Sequence, residues 1–160
     1  MIRRGIVLAV PALAFVARAE AQVLWLKVEG PERAFTFELP GTPDYKIQGG
    51  LHSYSLTRGP IEYVVQAVEV AEGDAAGVVQ AAIDGTAPHL VDGRWQRIDR
   101  RQVHGSPAIE ASGVLKNGNA LRNLVVMKGR RLVSLGLRGP AGTTRFPDAE
   151  RFFASLRFAS

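Results

Sequence analysis

Along this chain the apolar positions fall into short alternating runs separated by glycine and proline, the mark of strands joined by tight turns. Residues 23–28 form a first apolar run, read as a strand. In residues 34–39, Phe35, Phe37 and Leu39 alternate onto one face before Pro40 and Gly41 end the strand. Residues 51–57 and 61–70 pair as a hairpin across Arg58, Gly59 and Pro60, and the second arm is apolar on both faces, as a central strand would be. The spacing then changes to helical. Asp74 caps a helix running to about Leu90, with Val79, Ala82 and Ile83 as its inward stripe, weakened by Gly77 and Gly85 and crowded at its end by Pro88.

Residues 94–138 are the most regular stretch. The pairs Gly105-Ser106, Asn117-Gly118 and Gly129-Arg130 each suit a two-residue hairpin turn, which gives an antiparallel meander over 94–104, 107–116, 119–128 and 131–138. Turns of that length fix register, placing Ala108 opposite Val103 and Met127, and Glu110 opposite Arg101 and Val125. One face then collects Ile98, Ile109, Ala111, Leu115, Leu124, Val126, Val133, Leu135 and Leu137 as the core side. The other collects Arg97, Asp99, Arg101, Glu110, Ser112, Asn123 and Ser134, with Val125 and Leu132 among them, and is too polar to be a second full core layer. Pro147 starts a closing helix with Ala149, Phe152, Phe153 and Leu156 as its stripe, and residues 156–158 add an edge strand. The expectation is a single α+β domain: an antiparallel, meander-rich sheet of about six to eight strands with two packed helices.

A chain of 160 residues buries a core without staples, and with no cysteine it has none: disulfides, a lipid-modified cysteine and a cysteine zinc site are excluded. Residues 1–21 have the parts of a secretory signal: Arg3 and Arg4, an apolar segment over 5–16, and small residues at Ala17, Ala19 and Ala21 for cleavage. The apolar segment falls short of the roughly 20 residues a bilayer span needs. This predicts a cleaved leader, a mature domain over 22–160, no transmembrane span after cleavage and a periplasmic or secreted location; the Arg3-Arg4 pair leaves both export routes open, and the residues after it fit general secretion better than the twin-arginine signal. Residues 22–89 carry 4 basic and 9 acidic groups, whereas residues 90–160 carry 13 and 5, so the second half is the one suited to an anionic partner.

Four segments recur together in an order that resembles the exported bacterial members of the PsbP-like group. They are Phe35-Thr36-Phe37-Glu38-Leu39-Pro40-Gly41, the turn from Gly105 to Glu110, the strand from Arg130 to Leu137, and the terminal helix from Arg151 to Phe158. That group shares its fold with the photosystem II extrinsic protein P and with the Mog-type Ran-binding factor. The resemblance spans residues 33–158 and rests on structural motifs. It implies an antiparallel sheet with helices packed on it and a role in binding or assembly, and it assigns no functional residue.

Candidate chemistry is sparse. His52, His89 and His104 lack the spacings that set two imidazoles on one metal, so no metal or other cofactor is expected. Ser106, two residues after His104, sits in a turn signature without a nucleophile elbow, and Ser134 is mid-strand. Asp99 and Glu110 share a face, but beside arginines, which suggests an Arg101–Glu110 ion pair across strands rather than a glycosidase pair. What remains is a basic cluster: Arg94, Trp95, Arg97, Arg100 and Arg101 crowd one strand. Alternation puts Trp95, Arg97 and Arg101 on one side, suited to gripping carboxylate or phosphate groups. The expected function is therefore an exported, non-enzymatic binding or accessory module that engages anionic envelope lipid or an acidic protein. Nucleic acid is not expected as a partner, because no reading motif is present. The alternative is a small periplasmic hydrolase whose site is assembled from residues distant in sequence.

Overall fold

The structure, a computed structural model, describes residues 23–160. In chain order it contains β1 (Leu26–Glu29), β2 (Phe35–Leu39), β3 (Asp44–Gln48), β4 (Leu51–Arg58), β5 (Ile61–Glu69), α1 (Ala75–Thr86), β6 (Arg97–Val103), β7 (Ser106–Val114), β8 (Ala120–Lys128), β9 (Arg131–Gly139), α2 (Pro147–Ala154) and β10 (Arg157–Phe158). Seven strands form one antiparallel sheet in the order β3-β4-β5-β9-β8-β7-β6, and β1, β2 and β10 form a second sheet of three. The α+β class, the two helices and the meander agree with the sequence. The strand β3 was not anticipated, and β1, β2 and β10 separate from the main sheet.

Alternation along β2 drives Phe35, Phe37 and Leu39 fully inside while Thr36 and Glu38 face outward. These side chains meet Tyr63, Val65, Leu124, Val126, Leu135 and Leu137 on one face of the large sheet, with Phe152 and Phe153 of α2 closing the layer. Phe152 stands edge-on to Tyr63 at 5.2 Å and to Phe153 at 5.0 Å. Gly30 has a steric role here, since a Cβ at that position would lie 2.4 Å from the Phe35 ring. Burial raises the phenol pKa values of Tyr54 and Tyr63 above the ordinary range; Tyr45 and Asp148 respectively add to the effect, and Arg58 opposes it at Tyr63.

Two of the three turn readings need correction. The last hairpin is as expected, with Lys128 opposite Arg131. In the first, Val103 pairs with Ser106, so the turn residues are His104 and Gly105, both at positive φ (50° and 82°). That moves the β6–β7 pairing by two residues and leaves the faces unchanged: Glu110 lies opposite Asp99, and Arg101 opposite Ala108. In the second, Leu115 N–H donates to Asn119 C=O at 2.8 Å across a three-residue loop ending in Gly118 at φ 90°. Ala108 therefore pairs with Val126, and Glu110 with Leu124. This one-residue slip exchanges faces. Glu110 joins the face of Leu124 and Leu135, while Ile109 and Ala111 go to the other side with Val125 and Met127.

The face expected to be too polar for a core layer is thus a second core. Val79 and Ile83 of α1 pack there on Ile109, Ala111, Val125 and Met127. Ile98, expected inside, stands at the sheet edge and is 43% exposed.

Candidate functional site

A groove of about 820 Å³ opens where β6, β7 and β8 run out from under α2, its walls including Arg97, Asp99, Glu110, Arg122, Arg145 and Glu150. The β7–β8 register set by the three-residue loop creates it. Placing Glu110 on the face of the main core also aligns it with Arg122, whose neighbours along β8 on that face are Leu124 and Val126. Both side chains are largely covered, at 16% and 15% exposure.

Arg122 is the hub. Its Nε donates to Glu110 Oε1 at 2.5 Å, and its Nη1 donates to Glu150 Oε1 at 2.6 Å and to the Thr144 carbonyl at 3.1 Å. Its guanidinium carbon lies 4.3 Å from the centre of the Phe153 ring. Burial works against the arginine's charge, but the hydrogen bonds to Glu150 and Glu110 outweigh it, and the pKa is raised. The two carboxylates differ in freedom. Glu110 is enclosed, whereas Glu150, in the first turn of α2, is 63% exposed at the rim.

Arg97 and Arg101 lie on the groove side of β6, as the sequence indicated. Arg97 Nε bonds Asp99 Oδ2 at 2.7 Å and is 75% exposed. Arg101 Nη1 reaches Glu110 Oε2 at 3.2 Å, so the expected ion pair forms, but diagonally rather than between opposed residues. Arg145, across the groove, makes no ion pair or side-chain hydrogen bond among the described residues.

Trp95 does not stand beside the two arginines. It precedes β6, packs with the α1 cluster, and its Nε1 donates to the Ile83 carbonyl at 3.0 Å. Strand alternation does not extend back to it, and the indole N–H finds its acceptor under the helix. The indole also lies over Gly113, where a Cβ would sit 3.4 Å from its ring. Arg100, on that face as well, bonds Gln80 of α1.

Sequence reasoning missed Arg122, Glu150 and Arg145. Arg122 was detectable in principle, because an arginine alternating with Leu124 and Val126 on a core-facing strand requires an acidic partner. The histidines lie elsewhere. His104 Nε2 is 3.2 Å from the Leu156 carbonyl rather than on Ser106, and His52 Nδ1 is 2.6 Å from the Tyr45 hydroxyl. No group of three or more metal-binding side chains occurs among the described residues.

The fold is that of the PsbP-like group, as the sequence resemblance implied. The chain is similar to cyanobacterial PsbP (CyanoP) from Synechocystis sp. PCC 6803, with a TM-score of 0.61 and 10% identity over 88% of this chain and 96% of that one. It is also similar to a protein of known crystal structure from Bacteroides thetaiotaomicron VPI-5482, with a TM-score of 0.54 and 10% identity. That match covers 84% of this chain and 48% of the other, so this chain spans about half of that protein. No protein-family model matches the chain, and no curated protein matches it in sequence.

Proposed function

We propose that the chain is an exported, non-catalytic binding or accessory module that takes an acidic protein segment into the groove between β6–β8 and α2. The observation that carries this reading is the carboxylate already seated there: Glu150 reaches over the rim onto Arg122 at 2.6 Å, while Arg97 and Arg145 present further donors along the same walls. A recessed groove with fixed acidic groups between its cations selects spaced carboxylates better than a flat anionic bilayer would. Anionic lipid is therefore an outcome of the test rather than the favoured ligand. The hydrolase alternative lacks a serine bonded to a histidine at its best sequence candidate, Ser106.

Export rests on residues 1–21, which lie outside the described residues. Within the described residues no helix is long and apolar enough to cross a membrane. The mass of the exported protein is expected to correspond to a start near Glu20 or Gln22. Full-length protein held in the membrane fraction would contradict a cleaved leader.

The groove is tested with the double variant Arg97→Ser/Arg101→Ser. Both side chains are outside the core, so thermal unfolding is expected to stay within about 3 °C of wild type. Binding of a hexaglutamate peptide at low salt is expected to weaken roughly tenfold, and the difference to shrink at high salt, where screening already suppresses the contact. Unchanged peptide binding at low salt would remove the groove as the site. Loss of binding to anionic vesicles alone would transfer it to lipid.

A further inference from the structure

Among the described residues the seven-stranded sheet has two unpaired edges, and they differ in kind. The outer edge at β6 is blunted by Arg97, Asp99, Arg100 and Arg101. The edge at β3 carries only Asp44 and Lys46 as charges and has no proline within the strand. All five of its residues are exposed, including Tyr45 at 51% and Ile47 at 58%, which alternation puts on the same side. Tyr45 is held in place: its ring stacks on His52 at 6.0 Å and lies tilted against Tyr54 at 4.9 Å, and its hydroxyl bonds His52.

We propose that β3 is a self-pairing edge, at which two copies of this chain join β3 to β3 antiparallel with Tyr45 opposite Tyr45 and Asp44 opposite Lys46. The backbone supplies the direction. β3 and β4 are linked by a two-residue turn, Gly49 and Gly50, at φ 57° and 79°, and Gln48 pairs with Leu51 across it. In such a hairpin the flanking pair exchanges hydrogen bonds, so Gln48, Lys46 and Asp44 turn their amides toward β4 while Tyr45 and Ile47 turn theirs outward. A second β3 is met at those two residues.

Charge selects the register. Setting Tyr45 opposite Ile47 would bring Lys46 against Lys46, and like charges directly opposed are destabilising. Moving the partner by two residues sets Tyr45 opposite Tyr45, exchanging both backbone hydrogen bonds, and brings Ile47 N–H to the carbonyl of Pro43. It also places Asp44 against Lys46 twice, at positions that exchange no backbone bonds, where Cβ atoms are about 4.5–5.5 Å apart. The strand is thus its own charge complement, which is the reason for assigning a second copy rather than a foreign segment. The contact is small compared with the ~1,600 Å² of a standard interface, so the dimer is expected to be weak and concentration-dependent.

The register gives a charge-exchange test by sedimentation equilibrium on the purified protein. Wild type is expected to pass from monomer to dimer with rising concentration. Lys46→Asp alone opposes two carboxylates at each charged pair, and Asp44→Lys alone opposes two ammonium groups there, so each variant is expected to dimerise at least tenfold more weakly. An equimolar mixture of the two variants restores opposite charge at both pairs and is expected to recover dimers. Both sites are exposed, so thermal unfolding should match wild type and exclude misfolding as the cause. Wild type that stays monomeric would overturn the proposal and leave the edge to another chain. A dimer unaffected by either single change would overturn it too.

Discussion

Replacing Phe152 with alanine is expected to lower stability by about 3–5 kcal/mol, the range for removing a buried aromatic ring from a packed core. Phe152 is fully buried, edge-on to both Tyr63 and Phe153, and it is where α2 meets the sheet. Its loss leaves a cavity that the surrounding strands cannot close, because they are held by hydrogen bonds on both sides. For a domain of this size the midpoint of thermal unfolding should fall by roughly 10–15 °C. Phe146, six residues earlier and 53% exposed, is the control: its alanine variant is expected to change stability by no more than about 0.5 kcal/mol. Equal effects at the two positions would mean that α2 does not dock as described.

Arg122→Met is expected to be the next most damaging change, at about 2–3 kcal/mol. Removing the guanidinium leaves the Glu110 carboxylate, 16% exposed, with only the diagonal Arg101 as a partner. Stripping one member from a fully buried pair costs about 3–5 kcal/mol, and the remaining arginine reduces that here. The mechanism separates from simple loss of packing in a double-mutant cycle. Adding Glu110→Gln to Arg122→Met removes the stranded charge and is expected to recover about 1–2 kcal/mol. If the double variant is no more stable than Arg122→Met alone, the penalty lies in lost contacts with Phe153 rather than in the charge. Denaturant unfolding of the four proteins makes the measurement.

Much of the fold was legible because its signals are local. The alternation of Phe35, Phe37 and Leu39 gives β2, the spacing of Val79 and Ile83 gives α1, and Pro147 followed by Ala149, Phe152 and Phe153 gives α2. The hairpin at Gly129 and Arg130 was read in register because its turn has the expected length. At Asn117-Gly118 the same dipeptide serves a two-residue turn or the end of a three-residue loop, and local sequence does not distinguish them. At His104 the chain adopts a positive φ that sequence rules assign to glycine or asparagine first. The strand β3 was overlooked because all its side chains are exposed, so no burial pattern marks it.

These small misreadings bear heavily on the candidate site. The cluster of Arg97 and Arg101 was visible as charge in the sequence, and it stands on one face as alternation requires. The groove needs the pairing of β7 with β8 to be right to the residue, since that pairing brings Glu110 onto the side of Arg122 and α2. The contribution of Glu150 is a tertiary contact between residues 28 apart, beyond any local rule. Trp95 was misplaced for a related reason: alternation was extended beyond the first residue of β6, into a segment whose side chain is set by the position of α1.

Entry of an acidic ligand into this groove is read out by a backbone amide NMR titration of the purified protein with hexaglutamate at low salt. Saturable shifts are expected at Gln96, Arg97 and Asp99, at Glu110 and Ser112, and at Thr144 and Arg145, all of which line the groove. In the Arg97→Ser/Arg101→Ser variant the same shifts are expected to need roughly tenfold more peptide. Shifts confined to residues outside the groove, or a double variant that titrates at the same peptide concentration as wild type, would contradict it.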